Sequence, residues 1–158
     1  MSINTRDIFE IKNEKDFENC ALDIFHLQRQ HCSVYSQFCD VLKVNAAEIK
    51  SVNQIPFLPI EFFKTHQVVT SSVPDSYRDE KPHSIIFISS GTGGVQSKHH
   101  VSDVTVYEQS FRKGFKHFYG NIEDYCLLAL LPSYLEREGS SLIYMANDLI
   151  KRTKNPDS

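Results

Sequence analysis

The stretch IIFISSGTGGVQSKHHVSD, residues 85–103, decides how the chain is read. It opens on a continuous apolar run with three isoleucines, short enough for a strand buried on both faces. It then passes through Ser89, Ser90, Gly91, Thr92, Gly93 and Gly94 to Lys98, four residues after the last glycine. Glycines permit positive φ and close backbone approach, hydroxyls donate hydrogen bonds, and a lysine neutralises charge, so the parts match a cradle for phosphate oxygens. A Walker A loop would need Gly-Lys-Ser/Thr and a dinucleotide fingerprint G-x-G-x-x-G, and neither spacing occurs. The same residues also make an ordinary turn, and spacing alone leaves both readings open.

Working outward, a helix is expected from about Ser102, as N-cap, with Val106, Tyr107, Ser110, Phe111, Phe115 and Phe118 on one side and Gly120 ending it. Residues 125–131, YCLLALL, read as a second fully buried strand stopped by Pro132. Ser140 or Ser141 then caps a last helix to about Arg152. Strand, loop, helix, strand, loop, helix predicts an α/β fold, a parallel-strand sheet with flanking helices, in which ligands gather outside the carboxyl ends of the strands. Two such strands would leave sheet edges uncovered, which calls for further strands or a larger domain.

Upstream, residues 14–43 lack proline and glycine, and Phe17, Cys20, Ala21, Ile24, Leu27, Phe38, Val41 and Leu42 recur at helical spacing. A helix broken near Ser33 follows, capped by Asn13, with Glu14 and Asp16 favourable in its first turn. Asn45 with Glu48 opens a short helical turn. In residues 55–64, IPFLPIEFFK, Pro56 and Pro59 forbid a helix interior and predict an extended apolar segment laid on the core. Residues 70–84 have loop composition and read as a connection within one domain.

The 158 residues suffice for one ordinary core, burying roughly 70% of the unfolded surface. A hydrophobic fraction of 41% and a charged fraction of 23% place the chain among packed globular proteins, with an ordered span of about 13–152. A net charge of −3 and no local basic cluster argue against nucleic acid as a partner. The amino terminus carries no apolar h-region, and no run approaches a membrane span, so the chain reads as cytoplasmic. Cys20, Cys32 and Cys39 in one helical stretch, and Cys126 in an apolar run, fit a reduced compartment.

At these residues the sequence resembles the LuxE-type acyl-protein synthetases of the adenylate-forming, acyl-CoA synthetase superfamily. SSGTGGVQSKH is similar to the family's Thr/Ser-Ser-Gly-Thr-Thr-Gly-x-x-Lys loop, and IPFLPIEFFK (55–64), YEQSF (107–111) and YCLLALLPSYLEREGSSLIYM (125–145) match the surrounding blocks. The resemblance runs from about residue 10 to the end. It implies a fatty acid, or another carboxylate, activated with ATP and Mg to an acyl-adenylate with loss of pyrophosphate, then passed to a protein cysteine thiol. It also implies an acyl reductase as a partner. By position, Ser89, Ser90, Gly91, Thr92, Gly93, Gly94 and Lys98 would handle the ATP phosphates, where developing charge must be stabilised. Gly93 stands where the family has a second threonine. The family's adenine- and AMP-binding motifs, carboxyl-terminal lid and acylated cysteine have no counterpart before Ser158. The resemblance therefore implies residues 1–158 as the amino-terminal part of a single such domain, with catalytic residues unassigned. A phenylacetate-type acyl-CoA ligase and a truncated, non-catalytic binding module are the alternatives.

Other groups carry bland readings. His99 and His100 point in different directions on most backbones, and His26, His31, Cys32 and Cys39 lack two-plus-two ligand spacing, so no metal site is assigned. Cys126 reads as a small buried hydrophobe. Tyr134, Glu136, Arg137 and Glu138 follow a strand end and are candidates for lining a cleft.

Overall fold

In the computed structural model, residues 7–70, 84–89, 94–130 and 139–158 are described. The chain divides into two compact units, Met1–Lys81 and Pro82–Ser158.

In the first unit, α1 (Glu14–His31) and α2 (Ser33–Val41) form a helical pair. Asn13 caps α1 as its sequence position predicts: its side chain accepts from the Asp16 N–H at 2.9 Å. The break falls at Cys32, whose extended backbone (φ −109°, ψ 103°) ends one helix and opens the next. This turn aims Phe25, Cys32, Tyr35 and Cys39 at one another as a buried core. Phe25 and Cys39 have almost no exposed surface, and sealing a phenylalanine in this way contributes roughly 2–3 kcal/mol. The predicted apolar stripe is therefore shifted: Phe17, Val41 and Leu42 are exposed, and Phe25 is the residue α1 buries.

The proline-containing segment lies along this core as expected, with Ile55 and Leu58 packed on it, although Phe57 and Ile60 face outward. The Tyr35 hydroxyl donates to the Pro56 carbonyl at 2.7 Å, fastening the segment. Burial pushes the Tyr35 hydroxyl far above the usual tyrosine range, and burial likewise raises the Cys39 thiol. Asn45 caps the short 3-10 turn Ala46–Glu48 through its bond from the Ala47 N–H. The extended reading of residues 55–64 holds only to Pro59: beyond both prolines the chain turns, and Phe62–Thr65 form the four-residue helix α3, with the Phe62 ring 5.7 Å from that of Phe38.

The second unit corrects the predicted fold class. Its sheet among the described residues is a two-stranded antiparallel hairpin, β1 (Ile85–Ile88) with β2 (Lys98–Val101), paired Ile85↔Val101 through Ile88↔Lys98. The described elements are mostly helical, not a parallel sheet flanked by helices. The predicted strand at 85–88 forms, but the glycine-rich loop returns the chain into β2, whereas the sequence reading sent it directly into a helix. Residues 125–130 have no ladder partner among the described residues. Leu128 and Leu130 are exposed, and so is Cys126, which corrects its reading as a buried hydrophobe. An apolar run supplies the side chains for a strand, but the strand itself requires a neighbour's hydrogen-bonding edge.

Helices α4 (Val104–Tyr119) and α5 (Ser141–Thr153) complete this unit. Asp103, not Ser102, caps α4, accepting from the Thr105 N–H at 2.9 Å. Gly120 ends it at φ 88°, a conformation that favours glycine. Ser140 caps α5. The α4 stripe that turns inward is Val104, Tyr107, Glu108, Phe111, Arg112 and Phe115, whereas Ser110 and Phe118 are exposed. Phe87 of β1 stands edge-on between Tyr107 and Tyr144, at 5.2 and 5.7 Å between ring centroids.

Across the helices, Arg112 makes a fork on Asp148 (Nε to Oδ2 2.9 Å, Nη2 to Oδ1 2.5 Å) and reaches Glu108 at 3.0 Å. The Tyr144 hydroxyl donates to Glu108 at 2.6 Å. That hydrogen bond, with burial, pushes the Tyr144 hydroxyl up to about 12. Burial alone would raise the Asp148 carboxyl, but bonds from Arg112 and Arg152 outweigh it and hold the group below its ordinary value.

Candidate functional site

The glycine-rich stretch joins the two strands of the hairpin. Of the residues assigned to it from sequence, Ser89, Gly94 and Lys98 are described; Ser90, Gly91, Thr92 and Gly93 lie outside the described residues. So do Tyr134, Glu136, Arg137 and Glu138.

The mouth of the loop is fastened by three hydrogen bonds. The Ser89 N–H donates to the Ser97 carbonyl at 3.0 Å, extending the ladder one step past Ile88. In return, the Ser97 N–H donates to Ser89 Oγ at 2.9 Å. The Gln96 side-chain amide donates to the Ser89 carbonyl at 3.1 Å. The Ser89 hydroxyl thus accepts from the loop's own backbone while keeping its hydrogen for another acceptor. A hydroxyl that accepts one bond is polarised to donate a stronger one. Gly94 adopts φ 104°, and a Cβ there would meet nothing within 4 Å, so conformation and not crowding selects glycine.

Lys98 is the first residue of β2 and its side chain is exposed. Ser97 beside it is buried and hydrogen-bonds His99 Nε2 at 3.1 Å. The two histidines therefore separate as alternation requires: His99 shares Ser97's face, and His100 shares that of Lys98. Behind β1, the Gly139 carbonyl accepts from the Ile88 N–H at 2.8 Å. Gly139 has φ 79°, and a Cβ would come within 3.1 Å of the Ile88 side chain, so this close approach needs glycine. The loop thereby springs from a strand braced on both edges.

Sequence reasoning missed Gln96 and Ser97, because their part depends on antiparallel pairing that no periodicity reveals. It also missed the Arg112–Asp148 fork, whose partners lie on different helices.

Elsewhere in the unit, a cavity of about 110 Å³ lies among Phe115, Ile122 and Leu149 with Arg112, Lys116 and Arg152 at its rim. It falls short of the roughly 300 Å³ at which small-molecule pockets begin, and both arginines are engaged by Asp148. It is a gap in helix packing. Among the described residues no group of three or more His, Cys, Asp or Glu is arranged to hold a metal ion, and no helix is long and apolar enough to cross a membrane.

The family "Acyl-protein synthetase, LuxE" matches residues 4–137, a span that includes the loop and both strands. The chain is also similar to the long-chain-fatty-acid–luciferin-component ligase of Photorhabdus luminescens, 31% identical over 87 residues, which cover 55% of this chain and 68% of that one. No solved structure matches. With a family match across most of its length, the chain belongs to the LuxE acyl-protein synthetases.

Proposed function

We propose that this chain handles the nucleotide phosphates in an ATP-dependent activation of a fatty acid. The reading rests on one observation above the others: a glycine- and hydroxyl-rich loop is pinned at its mouth to an antiparallel hairpin, with an exposed lysine at the start of the return strand. Family membership and the fatty-acid ligase named among its relatives support the choice of substrate.

In this reading the loop takes the parts that its resemblance to adenylate-forming enzymes implies. Ser89, Ser90 and Thr92 donate hydroxyl bonds, Gly91, Gly93 and Gly94 let backbone N–H groups approach, and Lys98 balances charge. A fatty carboxylate oxygen attacks the α-phosphorus of ATP. The bond to the bridging oxygen breaks, and pyrophosphate leaves with the electron pair. The acyl-adenylate then passes its acyl group to a cysteine thiol, releasing AMP as the thiol proton is lost. The loop's contribution is electrostatic, since charge grows on the departing phosphates and donors fixed in advance stabilise it without rearranging. Mg enters as the counter-ion that ATP brings. The described residues offer it no cluster of three or more metal-ligating side chains.

The test is fatty-acid-dependent exchange of labelled pyrophosphate into ATP, run beside direct ATP binding. Binding that requires the triphosphate, with exchange that requires the acid, supports the reading; no affinity for ATP over adenosine would overturn it.

A further inference from the structure

Lys98 can serve phosphate only if its side chain is held on the open face of the hairpin, and the residues on either side of it provide that hold. Ser97 and His99 flank it and project to the opposite face. Ser97 is only 6% exposed, its hydroxyl is bonded to His99 Nε2 at 3.1 Å, and its backbone is tied to Ser89 by two further bonds. His99 stands directly across the ladder from Phe87, which is buried against Tyr107 and Tyr144. A local twist of the backbone between Ser97 and His99 that turned Lys98 inward would part their two side chains, breaking the bond between them and lifting His99 away from Phe87.

We propose that Ser97 and His99 are positioning residues that lock the face of β2 and so aim Lys98 outward, an inference that rests on the phosphate-handling reading above.

The experiment is a double-mutant cycle on the full chain, with ATP affinity measured by calorimetry for the unaltered protein, Ser97→Ala, Lys98→Ala and the pair. Ser97→Ala keeps the backbone bonds and removes only the hydroxyl. It should weaken ATP binding roughly fivefold, the equivalent of one ordinary hydrogen bond. In the Lys98→Ala background the same change should have no further effect, because there is no ammonium left to aim. Ser97→Thr, which keeps a hydroxyl, should retain affinity. His99→Ala breaks the bond from its other end, so if either alanine variant fails to fold by circular dichroism the other still decides. Full affinity in the folded alanine variants, or a Ser97→Ala effect that persists undiminished without Lys98, would overturn the positioning role. Unchanged affinity in Lys98→Ala would instead overturn the phosphate reading, and this inference with it.

Discussion

Asp148→Asn should destabilise the helical part of the second unit by about 2 kcal/mol. Asp148 accepts three charge-assisted bonds, two from the Arg112 fork and one from Arg152 Nε at 2.8 Å. Asparagine keeps one acceptor oxygen, loses the charge, and turns an amide hydrogen toward a guanidinium. Bonds to charged groups contribute roughly 1.5–3 kcal/mol when shielded, and exposed pairs about 0–1. The Arg112 and Asp148 side chains are 27% and 20% exposed, whereas Arg152 is 45% exposed, so the fork should supply nearly all of the loss. For a unit of this size about 2 kcal/mol lowers the melting temperature by roughly 10 °C. The pH dependence has a definite sign. A carboxyl held below its ordinary value stabilises the fold above the unfolded-state pKa, and that contribution fades as pH falls through the lower, folded value. The asparagine variant should therefore differ most at neutral pH and converge with the unaltered protein in acid. Thermal melts followed by circular dichroism at several pH values are the assay, with Arg152→Ala as the control, expected to cost roughly 0.5 kcal/mol or less. A shift under about 2 °C for Asp148→Asn, or an equal loss from Arg152→Ala, would refute the reasoning and mean that solvent screens the fork.

Other perturbations probe separate parts of the account. Gly139→Ala should cost about 2 kcal/mol in urea denaturation, since a positive φ alone costs roughly 1–2 and the new Cβ crowds Ile88; Gly120→Ala, with open space around it, should show the conformational part only. Tyr35→Phe strands the Pro56 carbonyl and should lower stability by about 1–2 kcal/mol, measured the same way. A thiol reagent should label exposed Cys126 promptly in the native protein and reach buried Cys32 and Cys39 only in denaturant; equal rates would contradict the placement of these groups. Because the Tyr144 hydroxyl is raised, its contribution is complete below the unfolded value near 10 and should be lost between there and about 12, a loss that Tyr144→Phe removes from alkaline denaturation curves.

How much of this was legible in the sequence depends on the range of the interactions involved. Caps were readable, because Asn13, Asn45 and Ser140 act within three residues of themselves, and so was the strand at Ile85–Ile88. The direction of that strand's partner was not. KHHV carries no apolar alternation, and it becomes β2 by pairing with β1 from Ile85↔Val101 to Ile88↔Lys98, a ladder that the bonds between Ser89 and Ser97 extend at the loop. The opposite error arose at residues 125–130, where a continuous apolar run has no hydrogen-bonding edge among the described residues to receive it. At the candidate site, the residue types were legible and their division between faces was not. Once β2 is known to be a strand, alternation alone separates Lys98 and His100 from Ser97 and His99.

The central claim is that the hairpin loop and Lys98 hold ATP phosphates, and the most direct measurement is calorimetric titration of ATP and of adenosine into the unaltered chain and Lys98→Ala. The account predicts that the variant binds ATP roughly ten- to a hundredfold more weakly, the range for one lost bond to a charged group, with adenosine unaffected. Equal ATP affinity in a folded Lys98→Ala variant would contradict it.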